Sequence, residues 1–171
     1  MGTRRRPATE AEARALASAV RLRILRLCLD QALTNKEIAG RLDANPATTL
    51  HHVRKLVETG FLAAEPSRPG PRGSTEIPYR ATGKSWEMDV HESGVSGGSA
   101  AMLDAFLEES RLIDLERADV VRLGLRLTPE GHAELRRRLE ELLEEFRGRQ
   151  PPDGQAYSIF LAVHRDVTRD P

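Results

Sequence analysis

Apolar positions recur at helical spacing from the start of the chain. Leu16, Val20, Ile24, Leu27 and Cys28 fall at steps of three and four, with Leu22, Leu25 and Leu29 on an adjacent stripe. Thr9 with Glu12 has the spacing of a capping box, so this helix is predicted to begin near Glu10. An apolar arc that wide must be covered on more than one side. Thr34 with Glu37 is a second capping box, opening the short pattern "NKEIAGRL" with Ile38, Ala39 and Leu42 inward. After Asp43 and Ala44, Asn45 and Pro46 form another helix start, Asn as cap and Pro at the first helical position. That helix runs to about Thr59 and ends at Gly60. Thr49, Val53, Leu56 and Val57 face inward, and Thr48, His51, Arg54 and Lys55 outward.

Phe61–Glu65 then reads as a short strand, Pro66–Ser74 as a long hairpin tip, and Thr75–Ala81 as the returning strand. Pro78 confines that strand to an edge or to a strand end. Thr82–Ser99, with "GVSGGS", reads as a linker whose Trp86 and Met88 are expected to dock back on a neighbour. Ser99–Ile113 is helical. Asp119–Leu127 alternates, with Val121, Leu123, Leu125 and Leu127 on one face. Thr128 caps and Pro129 opens a long helix to about Gly148, striped by Leu135, Leu139, Leu142 and Phe146. Ala156–His164 is a last strand. The expected fold class is α+β, mainly helical. Its parts are a winged helix-turn-helix at 1–82, a linker at 83–98, and a helix-strand-helix-strand region at 99–171 for dimerisation or effector binding.

Charge adds direction. The 171 residues are neutral overall, but Met1–Arg80 holds 14 Lys+Arg against 8 Asp+Glu, leaving 12 against 18 in the rest. A basic half joined to an acidic half points to a polyanion as the partner of the first. No apolar run approaches a membrane span, and no export signal follows the basic N-terminus, so a cytoplasmic protein is expected.

A short helix, a tight turn and a second helix with a small, polar nose form a DNA-reading unit. The second helix presents its N-terminal end to the major groove, where Thr48 can meet a thymine methyl or donate a hydrogen bond. Asn45, Ala47, Thr48, Leu50, His51, Arg54 and Lys55 on or beside it, with Thr34 before the first helix, are the candidate DNA contacts. Arg68 and Arg72 at the hairpin tip reach a neighbouring groove or backbone. Leu16 with Leu135, Leu139, Leu142 and Phe146 are the candidates for a dimer interface. No catalytic triad order or phosphate-binding loop is present, so an enzyme is not expected.

The stretch "LASAVRLRILRLCL … LTNKEIAGRLDANPATTLHHVRKLVETGFLAAE … EIPYRAT" resembles the winged helix-turn-helix of ArsR-type bacterial transcriptional regulators. Arg21-Leu22-Arg23-Ile24-Leu25, Glu37-Ile38-Ala39 through Leu42, His52-Val53 with Leu56, and Gly60-Phe61-Leu62 carry the likeness, over Leu16 to Thr82. It implies a homodimeric regulator on a palindromic double-stranded operator; a repressor is expected, with a small-molecule effector as a candidate partner. Its departures are specific. The first short helix lacks the cysteine pair of metal-sensing members, Ala19-Val20 replaces the usual Asp-Pro, Asp43 stands where Gly is common, and the hairpin tip is long and Pro-rich. The single cysteine, Cys28, lies on the core stripe. Neither a metal nor another cofactor is therefore expected. A winged helix that binds protein rather than DNA is the alternative.

Overall fold

The structure is a computed structural model describing residues 5–90, 93–151 and 153–169, with the side chain of Arg72 outside the description. It is a mixed α/β protein with small sheets, in two compact units, Arg5–Leu112 and a second from Ile113 onward. Among the described residues no helix is long and apolar enough to cross a membrane.

The first unit begins with strand β1 (Arg6–Pro7) and helices α1 (Glu10–Leu16) and α2 (Ala19–Leu27). The single long helix expected from the apolar spacing is broken at Ala17 and Ser18. Ser18 adopts an extended backbone at the start of α2, where its carbonyl accepts from the N–H of Leu22 at 3.0 Å. Serine favours such a position because its hydroxyl competes for backbone groups inside a helix. The Arg21 guanidinium donates back to the carbonyls of Ala15 and, at 2.7 Å, Arg14. It thereby satisfies groups that the break leaves without an intrahelical donor.

Both predicted capping boxes form. The N–H of Thr9 donates to the Glu12 carboxylate at 2.8 Å, and that of Thr34 to Glu37 at 2.7 Å, while each threonine hydroxyl accepts in return at 3.3 Å. The second box opens α3 (Asn35–Leu42), and α4 (Pro46–Glu58) follows. Strand β2 (Leu33–Thr34) runs directly into the cap of α3. It pairs with β6 (Pro78–Ala81), which also pairs with β3 (Leu62–Ala64), so β6 is the centre of an antiparallel sheet in the order β2-β6-β3. Pro78 is tolerated there because it is the first residue of its strand. Between β3 and β6 a second hairpin, β4 (Arg68–Pro69) with β5 (Thr75–Glu76), carries the wing tip.

Core packing gathers Leu16, Ile24, Cys28, Ile38, Val53, Leu56, Phe61 and Leu62 between the helices and the sheet. Gly60 reverses the chain from α4 into β3 at φ 74°, a conformation that favours glycine, and a Cβ there would lie 3.3 Å from Lys84 Nζ. The expected linker packs within this unit. A short 3-10 turn, Lys84–Glu87, leads to β7 (Met88–Asp89), which runs parallel to β1, and Met88 is buried in the core. Helix α5 (Gly98–Ser110), read from sequence as the start of the C-terminal region, packs on α2 through buried Ala101 and Ala105. An Arg26–Glu109 ion pair of 3.2 Å accompanies that contact.

Glu12 joins several of these elements. Its buried carboxylate accepts from Arg6 at 2.7 and 2.9 Å and pairs with Lys84 at 2.7 Å, in addition to its capping bond. The Arg6 hydrogen bond holds it well below the usual carboxylate range against the opposing effect of burial, aided by Lys84 and Thr9. The unfolded carboxyl titrates near ~4.3. Its contribution is therefore complete above that pH and is lost as pH falls below it toward the lower folded value. Glu12→Ala is expected to lower stability by about 1.5–3 kcal/mol at neutral pH through its lost charge-assisted hydrogen bonds. Urea melts of variant and parent should converge as the pH is lowered, and a difference that stays constant with pH would refute the assignment.

In the second unit Thr128 caps α6 (Pro129–Arg147), its hydroxyl accepting from the N–H of Gly131 at 3.1 Å. The two segments expected as strands, 119–127 and 156–164, join no ladder among the described residues. Their alternation places Val121, Leu123, Leu125 and Leu127, and Tyr157, Ile159, Leu161 and Val163, in solvent. A strand with alternating faces needs a hydrogen-bonding neighbour, and the described residues do not supply one here.

Candidate nucleic-acid interface

Helices α3 and α4 are joined by Asp43, Ala44 and Asn45. Asp43 ends α3 in the left-handed conformation, φ 50° and ψ 49°, and among the described residues it is the one non-glycine with positive φ. Aspartate accepts that region more readily than most residues, so the turn keeps its shape without glycine. The N–H of Ala44 donates to the Ala39 carbonyl at 2.9 Å, and buried Ala39 lets the two helices approach. Asn45 caps α4 by accepting from the N–H of Ala47 at 2.8 Å. Asn35 adds a bond from its side-chain amide to the carbonyl of Pro46 at 2.9 Å, tying the two helix starts together.

One face of α4 is buried through Thr49, Val53 and Leu56. The other exposes Ala47, Thr48, His51 and Arg54, with Leu50 and Lys55 half-buried beside them and Asn45 exposed at the start. Thr34 is different. It is buried and its hydroxyl is engaged in capping α3, so it sets the position of the helix rather than reaching outward. Arg68 is exposed, but its guanidinium is bonded to both Glu37 carboxylate oxygens at 2.7 and 2.8 Å, which draws the wing to the first turn of α3. The placement of the Arg72 side chain lies outside the described residues. His52 is half-buried, and burial first, then the nearby Arg21 and His51 charges, lower its pKa.

Two residues absent from the candidate DNA contacts also adjoin this surface. Arg14 and Arg21 line a cavity of about 540 Å³ together with His51, Arg54, Lys55 and Glu58. The signal for them is weak in the sequence because they sit on other helices, 30 or more positions from the α4 residues they join.

Of the remaining sequence candidates, Leu16 is spent in the core of its own unit. Leu135 and Leu139 are half-buried along α6, while Leu142 and Phe146 are exposed. Cys28 is fully buried, and burial pushes its thiol up to about 11. Among the described residues no three of His, Cys, Asp and Glu converge into a metal-holding group.

Residues 16–64 match the family model of a helix-turn-helix domain. This segment is a helix-turn-helix domain. It and the adjoining hairpin strands are consistent with the winged form. No curated protein matches the chain. Similar solved structures include reduced HlyU from Vibrio cholerae, 21% identical, covering 57% of this chain and 84% of that one with a TM-score of 0.35. A double mutant of ZitR from Lactococcus lactis is 21% identical over 75% of each chain, also with a TM-score of 0.35. The apo form of that mutant is 22% identical, covering 78% of this chain and 86% of that one at a TM-score of 0.33. The helix-turn-helix domain supports a DNA-binding role in transcription regulation.

Proposed function

We propose that the protein is a sequence-specific transcriptional regulator of ArsR-like type, a homodimeric repressor of a palindromic operator whose release is not controlled by metal. The observation that carries the reading is the exposed row Ala47, Thr48, His51 and Arg54 on a helix fixed by the Asp43 turn and flanked by the wing. Small and polar side chains at the leading end of a helix let it approach base edges, where they donate, accept or touch a methyl group. Two copies give two such helices, and a two-fold axis suits an inverted repeat.

Dimerisation is supported by the exposed apolar residues of the alternating segments 119–127 and 156–164 and by exposed Leu142 and Phe146 on α6. Exposed apolar side chains gathered along two such rows favour an interaction surface over a solvated one. Independence from metal is supported by the burial and raised pKa of Cys28 and by the lack of cysteine on α3.

Selection of bound duplexes from a random pool by the purified full chain tests the reading. The expected outcome is enrichment of an inverted repeat whose half-sites lie about one helical turn apart. Retention of duplex without any enriched sequence would overturn sequence-specific regulation. Failure to retain duplex at all would favour a winged helix that binds protein.

A further inference from the structure

The cavity between α1, α2 and α4 has a lining that the base-reading face does not explain. Arg14, Arg21, Arg54 and Lys55 bring four permanent cations to it, His51 adds an imidazole, and Glu58 is the one carboxylate among its lining residues. Like charges gathered in one concavity repel each other, and an anion placed there relieves them. Several of these groups are held ready for exchange. Arg14 is paired with Glu10, and Lys55 with Glu58 at 3.4 Å, both exposed pairs within a single helix. Such pairs are weak and give way to a phosphate that a guanidinium can bind through two parallel hydrogen bonds. Arg21 is different in kind. Its bonds to the Ala15 and Arg14 carbonyls hold its charge at a fixed place on the rim.

We propose that this cavity seats a backbone phosphate of the bound duplex, so that α1 and α2 clamp the DNA strand flanking the groove that α4 enters. The proposal rests on the DNA-binding reading above. The ligand is a phosphodiester rather than a base because guanidinium and ammonium groups dominate the lining, with no Trp, Tyr or Phe on which a base could stack. Duplex DNA is favoured over a free phosphorylated molecule by continuity. His51 and Arg54 belong both to the cavity and to the exposed face of α4. Arg54, Lys55 and Glu58 sit toward the C-terminal end of α4, the end that leaves the groove when the N-terminal end enters it.

A phosphate is the same at every base pair, so the clamp adds affinity without sequence preference. The test uses the full chain, with Arg14→Gln and the double variant Arg14→Gln/Arg54→Gln, in fluorescence anisotropy on the selected operator and a scrambled duplex at several salt concentrations. Arg21 is left intact because it caps α1. Thermal melts of both variants should match the parent, since Arg14 and Arg54 are exposed. Arg14→Gln is expected to weaken both duplexes alike and to flatten the slope of log K against log salt by about one. The double variant should flatten it by about two, with an added loss on the operator because Arg54 also stands in the base-facing row of α4.

If the parent binds duplex and both variants keep its affinity and slope, the clamp is overturned while the DNA-binding reading stands. If the parent binds no duplex, that reading falls and the clamp with it. Calorimetry with pyrophosphate and no DNA separates the two sources of phosphate. A saturable site tighter than the duplex, abolished in Arg14→Gln, would assign the cavity to a free polyanion and overturn the backbone assignment; no such site is expected.

Discussion

Aspartate at both Leu123 and Ile159 is expected to turn a dimer into a monomer and to weaken binding to a two-half-site operator by about 10²–10⁴-fold, the avidity of a linked second site. Leu123 is 73% exposed and Ile159 is 69% exposed, each near the middle of an alternating row. In the proposed dimer both rows are covered by a second copy. A carboxylate at each would be desolvated there without a counter-ion, which opposes association strongly. Because both side chains stand in solvent in the single chain, the substitutions leave its own packing intact, and the helix-turn-helix should melt as before. Sedimentation at micromolar concentration should give twice the 19.0 kDa chain mass for the parent and the chain mass for the variant. A parent that sediments as a clean monomer would sink dimerisation itself, and a variant that stays dimeric would move the interface elsewhere.

Thr48→Ala and His51→Ala are each expected to cost about 1–3 kcal/mol on the selected operator and much less on random DNA. Both side chains are exposed on the leading half of α4, whose cap, proline and buried face fix it in place. Removing either takes away contact with a base edge without disturbing the core. The wing behaves differently. Arg68 must exchange Glu37 for phosphate before it contributes, so Arg68→Ala should weaken operator and scrambled duplex by a similar, small factor. Anisotropy on both duplexes separates the roles. Helix variants that lose only general affinity, with wing variants that lose sequence preference, would reverse them.

What the sequence made legible was local chemistry. Thr9, Thr34, Asn45 with Pro46, and Gly60 announce helix ends through bonds spanning two or three residues, and the structure contains each of them. The break at Ala17 and Ser18 was hidden because apolar spacing continues across it, so one helix or two fit the same stripe. Strands β1, β2 and β7 were illegible because pairs of two residues have no periodicity to detect. The placement of α5 turns on alanines, which suit buried and exposed faces equally, so a helix next to a glycine-rich stretch read as the start of another region. Within the interface, the outward row of α4 followed from helical period. The engagement of Thr34, the Arg68–Glu37 pair and the cavity that includes Arg14 and Arg21 depend on tertiary approach between distant positions, and the sequence carries no local mark of it.

The Glu37 carboxylate has two obligations. It takes the N–H of Thr34 at the start of α3, and it receives the guanidinium of Arg68 from the wing. Thr34 is in turn a member of β2, paired with Pro78. Wing tip, sheet edge and the first turn of α3 therefore meet at one side chain. Were a DNA phosphate to take Arg68 from Glu37, as the proposed function requires, that carboxylate would keep its negative charge beside the positive end of the α3 dipole. Glu37 would then still hold the N–H of Thr34, so the start of α3 keeps its cap when the wing lets go.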